Sequence, residues 1–261
     1  GLGAVGTRIT SVGLRGKYLL IGLDRGGSSE ELIVHLGMTG RLSVDPTAGP
    51  DDGATAASAG ERGSAWALSA TGARATTAHL RARWSLDDGR SLSFDDVRRF
   101  GRIAVVPAGE HASLPTLAAL GPEPFDDAFS AEHLRTEVNR SQRALKTQLL
   151  SQRVVAGVGN IYADEALWRA RVHPASRRIT RAASLRLRDA VREVLRAGID
   201  HGGTTLRNYR DATGGEGGNQ RYLDCYGRGG EPCGRCGDEL RRTVIDARAT
   251  VFCPSCQRRG G

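Results

Sequence analysis

Apolar and polar residues alternate in short runs along the first part of the chain, and this period of two predicts β-strands. The runs lie at residues 7–12, 17–23, 32–36, 78–84, 91–94 and 103–106. Glycine-rich turns separate the first three runs, and residues 87–90 (DDGR) form a hairpin-type turn, so an antiparallel sheet is expected. Residues 46–78 are mainly Ala, Gly, Ser, Thr and Asp, and they predict a flexible surface insertion.

The apolar period lengthens to about 3.6 after residues 121–124 (GPEP), which marks a domain boundary and predicts helices. The first helix is predicted to begin after an N-cap at Ser130 and to continue through Leu150. Further helices are predicted at residues 160–172 and 184–199, the latter with one apolar stripe. A helical core therefore follows the sheet region, and a tail that contains cysteines follows the helices.

Composition and charge narrow the class of protein. The chain has 261 residues, of which 39% are hydrophobic and 25% charged, enough for one large or two medium cores. No run approaches the roughly 18 apolar residues of a membrane span, and residues 1–10 lack the features of a signal peptide, so a soluble intracellular protein is expected. The net charge is +8, divided as −2 over residues 1–130 and +10 over residues 131–261. A polyanion is the expected partner, bound mainly by the second half.

Two cysteine pairs in the tail indicate a metal site. Cys233 and Cys236 form one C-x-x-C pair, Cys253 and Cys256 form another, and 16 residues separate them. This spacing predicts one tetrahedral Zn²⁺ ion held by four thiolates, structural because no position remains for a reactive water. A pair of redox disulfides is the alternative. Cys225 is predicted to be a free, half-buried thiol.

Two further segments suggest contacts with phosphate groups. Residues 241–252, between the cysteine pairs, predict a zinc-ordered hairpin with Arg248 near its bend, able to reach a DNA groove or a phosphate. Gly157 and Gly159 open a turn before a helix, and with Asn160 as the helix cap, exposed N–H groups could receive a phosphate. The alternatives are a solvated charged turn for the hairpin and a core-packing element for the glycine turn.

Lysine is rare in this chain and therefore informative. Of the 37 basic residues, 35 are Arg, and the two lysines are Lys17 and Lys146. An amine, unlike a guanidinium group, can release and regain a proton during a reaction. Two ordinary surface lysines are the alternative interpretation.

Several separated motifs together resemble one family. They are residues 15–20 (RGKYLL), 35–40 (HLGMTG), 96–101 (DVRRFG), 121–124 (GPEP), 157–165 (GVGNIYADE) and 226–228 (YGR). In this order, and followed by the zinc tail, they resemble the formamidopyrimidine-DNA glycosylase family over nearly the whole chain. The resemblance implies removal of oxidised purines such as 8-oxoguanine from double-stranded DNA, followed by cleavage of the abasic site through β,δ-elimination.

The resemblance also implies an α+β multidomain fold. Residues 1–120 would form an incomplete β-sandwich catalytic domain, with the insertion at 46–78. Residues 121–215 would form a helix-two-turn-helix domain, and residues 216–261 a lesion loop and a four-cysteine zinc finger. DNA would lie across the cleft between these domains, and one Zn²⁺ ion would be bound. The protein would be a bacterial cytoplasmic monomer associated with the nucleoid through DNA.

By the same resemblance, Lys17 is the catalytic lysine, with a pKa lowered by positive neighbours such as Arg15, and Arg248 grips phosphates at the lesion. Met38, Arg98 and Phe100 match the side chains that fill the gap left by an everted nucleotide. The remaining DNA-facing positions are His79, Arg99, Lys146 and Asn160. Ser141 stands where the family has a basic residue, and the segment at 204–220 resembles the mobile loop over the flipped base.

The chain departs from the family pattern at its start. The family begins with a Pro-Glu pair whose proline amine attacks the sugar, and no residue here matches that pair. Either the chain is a fragment of an active glycosylase and lyase, or it is complete and binds damaged DNA without cutting it; replacement of the proline by the Gly1 amine is a third possibility. The alternative functions are a non-catalytic zinc-finger protein for damaged DNA and an endonuclease VIII-like glycosylase for oxidised pyrimidines.

Overall fold

The structure is a computed structural model that describes residues 4–45, 77–205 and 215–259. The chain divides into two compact units. The β unit comprises residues 1–113 and 202–218, and the helical unit comprises residues 114–201 and 219–261. The division into three domains at residues 120 and 215 stays a prediction. Within the described ranges, no helix is both long enough and apolar enough to cross a membrane.

Two antiparallel sheets form the β unit. Its strands are β1 (Arg8–Arg15), β2 (Tyr18–Arg25), β3 (Ser28–His35), β4 (Gly40–Asp45), β5 (Leu80–Ser85), β6 (Ser91–Asp96) and β7 (Arg102–Pro107). One sheet has the order β1-β2-β3-β7 and the other β4-β6-β5. Apolar side chains from both sheets share one core, in which Ile21, Leu32 and Val34 of the first sheet meet Leu92 and Phe94 of the second. The predicted β-sandwich is therefore confirmed.

The strand predictions differ from the structure at two places. β4 was not predicted as a separate strand, although it pairs with β6 along its length. The strand predicted at residues 78–84 begins at Leu80, because residues 77–79 form a short 3₁₀ turn that ends at the exposed His79. Of the predicted insertion at 46–78, residues 46–76 lie outside the described residues.

The helical unit contains α1 (Pro115–Ala118), α2 (Ala131–Asn139), α3 (Leu145–Leu150), α4 (Asn160–Arg169) and α5 (Arg181–Asp200). The Ser130 hydroxyl accepts a hydrogen bond from the His133 N–H at 3.0 Å, which confirms the predicted N-cap. Thr180 caps α5 in the same way through the Ala183 N–H. The buried faces of these helices form one apolar core.

The single helix predicted from Ser130 to Leu150 is wrong, since residues 140–144 separate α2 from α3. The first N–H groups of α3 bond outside their own helix: Leu145 donates to the Ser176 carbonyl at 2.7 Å and Lys146 to the Pro174 carbonyl at 3.0 Å. The Gln148 amide donates to the carbonyls of Val138 and Arg143. These long-range bonds replace the backbone bonds that a continuous helix would make.

The last two elements of the helical unit, β8 (Arg241–Ile245) and β9 (Arg248–Phe252), form a β-hairpin. Its two-residue turn, Asp246 and Ala247, has φ angles of 45° and 60°, which matches the right-handed twist of a tight hairpin. The hairpin predicted at 241–252 is therefore confirmed, with Arg248 directly after the turn.

Candidate nucleic-acid interface and metal centre

The buried carboxylate of Asp96 holds two turns of the β unit together. Its Oδ1 accepts hydrogen bonds from the Thr39 hydroxyl at 2.6 Å and the Arg98 N–H at 3.3 Å, and its Oδ2 accepts from the Gly101 N–H at 2.7 Å. The Thr39 oxygen also accepts from the Arg98 N–H at 3.1 Å. Burial raises the pKa of Asp96, but the hydrogen bonds from Thr39, Gly101 and Arg98 outweigh it and leave the pKa below the ordinary 3.8.

Three predicted DNA-facing side chains project from these turns, and we call them the exposed triad: Met38, Arg98 and Phe100. Met38 is 62% exposed and Phe100 is 58% exposed, although both are apolar. The Arg98 guanidinium lies 5.7 Å from the centre of the Phe100 ring. Gly37 allows the turn before Met38 to lie against the backbone of Phe100: its φ is 62°, and an added Cβ would lie 2.8 Å from the Phe100 carbonyl carbon. The predicted Arg99 lies exposed between two triad members, with a φ of 59°.

Lys17 lies in the turn between β1 and β2. The pairing of Arg15 with Tyr18 leaves Gly16 and Lys17 as a two-residue turn, and Lys17 is exposed. Tyr18 pairs with His35, the residue that precedes the Met38 turn. Burial lowers the pKa of His35, and the positive charges of Lys17 and Arg102 lower it further. Lys17 and Arg102 thus both place positive charge beside His35.

The four predicted zinc ligands converge in the helical unit. The sulfur atoms of Cys233, Cys236, Cys253 and Cys256 all lie within 4.8 Å of one another. A tetrahedral zinc with Zn–S bonds of about 2.3 Å requires sulfurs about 3.8 Å apart, so the four thiols are close enough together to hold the ion after small shifts. The chain therefore carries one structural zinc site, which holds the hairpin in its fold.

The zinc site packs directly on helix α4. The Trp168 indole N–H donates to Cys233 Sγ at 3.4 Å, and the Arg235 guanidinium lies 4.0 Å from the centre of the Trp168 ring. Cys225 is fully buried rather than half-buried, and its thiol donates to the Val251 carbonyl at 3.1 Å. Burial raises the pKa of the Cys225 thiol, which keeps it protonated.

Lys146 does not occupy a DNA-facing position in this structure. Its side chain is 0% exposed, and its Nζ lies 2.6 Å from Asp164 Oδ1, 2.8 Å from the Ala249 carbonyl and 2.9 Å from the Thr250 hydroxyl. An ammonium group has three donors, and all three are used here. The predicted phosphate contact of Lys146 is therefore corrected: the residue is a buried anchor of the hairpin.

Glu165, which follows Asp164 in α4, holds residues 224–226, the segment before the zinc site. Its Oε1 accepts from the N–H groups of Cys225 at 2.8 Å and Tyr226 at 2.7 Å, and its Oε2 accepts from the Asp224 N–H at 2.9 Å. Burial raises the pKa of Glu165, and these three hydrogen bonds oppose the rise. Helix α4 thus attaches to the zinc region through a buried carboxylate.

The turn before α4 differs from its prediction in two details. Gly159, not Asn160, is the N-cap, and no side chain caps the helix. Asn160 is the first helical residue, and its Nδ2 donates to the Ala249 carbonyl at 3.3 Å. The Gly157 N–H, expected to be exposed, donates to Gln152 Oε1 at 2.8 Å. The structure thus brings Asn160, Lys146 and the Arg248 hairpin together.

Comparison with known proteins agrees with this architecture. Residues 3–103 match the formamidopyrimidine-DNA glycosylase N-terminal domain, residues 120–210 its H2TH domain, and residues 230–259 the zinc finger found in FPG and IleRS. The formamidopyrimidine-DNA glycosylase of Deinococcus radiodurans is 40% identical over 264 residues, covering 97% of this chain and 83% of that protein. The chain belongs to the formamidopyrimidine-DNA glycosylase family. The resemblance read from the sequence is confirmed.

Solved structures of the formamidopyrimidine-DNA glycosylase family support the fold as well. The MutM (Fpg) protein of Thermus thermophilus is similar with a TM-score of 0.79 and 42% identity, covering 98% of this chain and 85% of that one. Lactococcus lactis Fpg in complex with DNA containing an abasic site has a TM-score of 0.77 and 30% identity, covering 97% and 83%. The predicted arrangement of a β domain, an H2TH helical domain and a zinc finger is therefore confirmed.

Sequence reasoning missed the buried acids Asp96, Asp164 and Glu165, which position the residues that it did find. Asp164 and Glu165 lie within Ala163–Trp168, a stretch of α4 in which every residue is buried. Two adjacent carboxylates inside an apolar helical stretch are a usable signal, because buried charges require partners. Asp96 carried no such signal, since it follows another aspartate near the end of a strand.

Proposed function

We propose that this chain is a base-excision DNA glycosylase that removes oxidised purines from double-stranded DNA and cleaves the resulting abasic site by β,δ-elimination. The observation that carries the proposal is the exposed triad, a thioether, a guanidinium and an aromatic ring held out from the β unit by one buried carboxylate. Two large, mostly exposed apolar side chains and the arginine beside one of them offer a surface that a partner can cover. Family membership supplies the reaction class.

The triad suits the vacancy left when a nucleotide leaves the stack. Met38 and Phe100 can wedge between base steps, and the Arg98 plane can stack or hydrogen-bond on the strand opposite. The Asp96 bonds fix the backbone of both turns before DNA arrives, so little ordering is required on binding. We assign Met38, Arg98 and Phe100 to this filling role.

The catalytic proton transfers are assigned to Lys17. Its amine is exposed, and the charge of Arg102 acts on the same neighbourhood. An amine, unlike a guanidinium group, can release and regain a proton during base loss and elimination. The amine that forms the imine with the sugar is not assigned to any residue described here. His79 and Arg99, both exposed, are proposed to contact the DNA backbone.

The helical unit is proposed to bind phosphates through Arg248 and the start of α4. Arg248 is exposed at the hairpin turn, and Asn160 opens a ten-residue helix whose N-terminus favours anions. The net charge of +10 over residues 131–261 supports the same surface electrostatically. The expected partner is double-stranded DNA with oxidised bases or abasic sites, bound by a monomer.

The test uses the protein expressed from the complete reading frame of its gene. Duplexes contain 8-oxoguanine or formamidopyrimidine opposite cytosine, an abasic site, thymine glycol, or no lesion. Cleavage of the oxidised-purine and abasic duplexes, with a borohydride-trapped adduct, is the expected result. Preferential cleavage of thymine glycol would favour the endonuclease VIII-like alternative, and damage-selective binding without cleavage would favour the non-catalytic one.

Point variants test the role of the triad in the same assay. Arg98→Ala and Phe100→Ala should reduce base removal more than cleavage of a duplex that already has an abasic site, because eversion of an intact nucleotide needs the filled gap. Arg90→Ala is the matched control, since Arg90 lies at an exposed turn of the same unit and bonds to Asp88. Equal activity of Phe100→Ala and Arg90→Ala on 8-oxoguanine would refute the assignment.

A further inference from the structure

We propose that Lys146 is a positioning residue: its buried ammonium fixes the zinc-finger hairpin so that Arg248 is held ready for a DNA phosphate. The inference rests on the proposed function, because it explains how the phosphate-binding arginine is placed. It also replaces the direct DNA contact that the sequence suggested for Lys146.

The contacts of Lys146 and its ion-pair partner cover three consecutive residues of β9. Lys146 Nζ bonds to the Ala249 carbonyl at 2.8 Å and to the Thr250 hydroxyl at 2.9 Å. Asp164 Oδ2 accepts from the Val251 N–H at 3.0 Å, while its Oδ1 lies 2.6 Å from Lys146 Nζ. The pair therefore fixes the backbone that directly follows Arg248.

The other side of the turn is held from the same helix. The hydroxyl of Thr147, next to Lys146 in α3, donates to Asp246 Oδ2 at 2.5 Å. Adjacent residues of α3 thus hold Asp246 before the Arg248 position and Ala249 after it. Asn160 of α4 adds a third attachment, through its bond to the Ala249 carbonyl.

A two-stranded hairpin needs such support. An isolated pair of strands is marginal in water, and the cysteines of the zinc site lie at the ends of the strands away from the turn, where Cys253 follows β9. The turn itself is exposed, and its two residues have positive φ angles. Without the α3 contacts, the Arg248 end of the hairpin would be its least constrained part.

The chemistry of the pair favours positioning over stability. Moving an ammonium and a carboxylate out of water costs a desolvation free energy about as large as their mutual attraction. An apolar pair of similar volume would therefore stabilise the fold equally well. A buried ion pair instead specifies one geometry, because each donor requires its own acceptor at hydrogen-bond distance. Here the acceptors lie on the hairpin, so that geometry is the placement of Arg248.

The salt dependence of duplex binding tests the proposal. Dissociation constants for a duplex with an abasic-site analogue are measured between low and moderate salt for wild type, Lys146→Met, Arg248→Ala and the double variant, each checked for one bound zinc. Loss of one phosphate contact lowers the slope of log affinity against log salt by about 0.9. We expect this loss in Lys146→Met and in Arg248→Ala, and no further loss in the double variant.

Two outcomes of that experiment overturn the proposal. A wild-type slope in Lys146→Met would show a purely structural role, and a loss of about 1.8 in the double variant would show that both residues contact phosphates independently. If Lys146→Met does not fold with zinc, Thr147→Val decides by the same criteria. This second variant removes the hydroxyl bond to Asp246 without changing any charge.

Amide hydrogen exchange in the free protein separates the inference from the proposed function. In Lys146→Met, the amides of residues 247–249 should exchange at least about tenfold faster, while those of α5 stay unchanged. Unchanged exchange at 247–249 overturns the positioning role, whatever Arg248→Ala does to DNA binding. If Arg248→Ala leaves the salt slope unchanged while exchange at the turn accelerates, the proposed phosphate contact fails and the positioning of the hairpin stands.

Discussion

Removal of the Asp96 carboxylate should release the two turns that carry the exposed triad. Asp96→Ala deletes the acceptor of three hydrogen bonds, from the Thr39 hydroxyl and from the N–H groups of Arg98 and Gly101. Hydrogen bonds to a charged acceptor contribute about 1.5–3 kcal/mol each, and the Arg98 N–H keeps the Thr39 oxygen as a second acceptor. Two bonds are lost outright, so the expected loss in the free energy of unfolding of the β unit is about 3–6 kcal/mol.

Asp96→Asn is the matched control for this loss. The amide can turn its oxygen to the Gly101 N–H and its nitrogen to the Thr39 hydroxyl, so it keeps two of the three bonds. A smaller cost of about 1–2 kcal/mol is expected. Urea unfolding followed by circular dichroism gives the free energies, and hydrogen exchange at residues 97–101 shows whether the loss is local. A cost below about 1 kcal/mol for Asp96→Ala would refute the reasoning.

The pH dependence of the same variant checks the charge of Asp96. Because the folded pKa lies below the ordinary 3.8, the carboxylate contributes stability that is fully present above that value. This contribution is lost as the pH falls through the folded pKa. The difference in unfolding free energy between wild type and Asp96→Ala should therefore be constant above about pH 5 and shrink below about pH 4. A difference that grows on acidification would contradict the assignment.

Three further changes should have local effects. Removal of zinc by a strong chelator should unfold residues 230–259 while the β-sandwich stays intact, as exchange rates in the two regions would show. Glu165→Gln leaves one of the three N–H donors facing an amide nitrogen, so the zinc region should lose about 1–3 kcal/mol and release zinc faster to a chromogenic chelator. Gly198→Ala would put a methyl group 2.2 Å from the Tyr162 hydroxyl oxygen, so its thermal midpoint should fall, and Tyr162→Phe in the same chain should restore part of the loss.

Local patterns were sufficient to predict the metal centre and the hairpin. The two cysteine pairs and the strand-like run between them lie within one short segment, so spacing alone determines which groups meet. The exposed triad is different, since the turns that carry Met38 and Phe100 lie far apart in sequence. Its residues were found through the family resemblance, and the Asp96 bonds that join them became visible only in the structure.

The errors arose where distant backbone groups decide the local structure. Residues 140–144 contain neither proline nor glycine, so nothing in them indicates that α2 ends there. The break depends on carbonyls of Pro174 and Ser176, which bond the first amides of α3. Lys146 was misplaced for the same reason, because its acidic partner Asp164 belongs to another helix and its carbonyl acceptor to the hairpin.

The contact between Trp168 and the metal centre gives the protein a built-in optical reporter. The indole N–H bonds to Cys233, a zinc ligand, and Arg235 covers the ring. Loss of the ion would free the sulfur and expose the indole to water, and its emission would shift to longer wavelength. The chain has three tryptophans, and the other two, Trp66 and Trp84, belong to the β unit and would supply the background. Metal occupancy could therefore be followed by light alone, without a dye or a radioactive tracer.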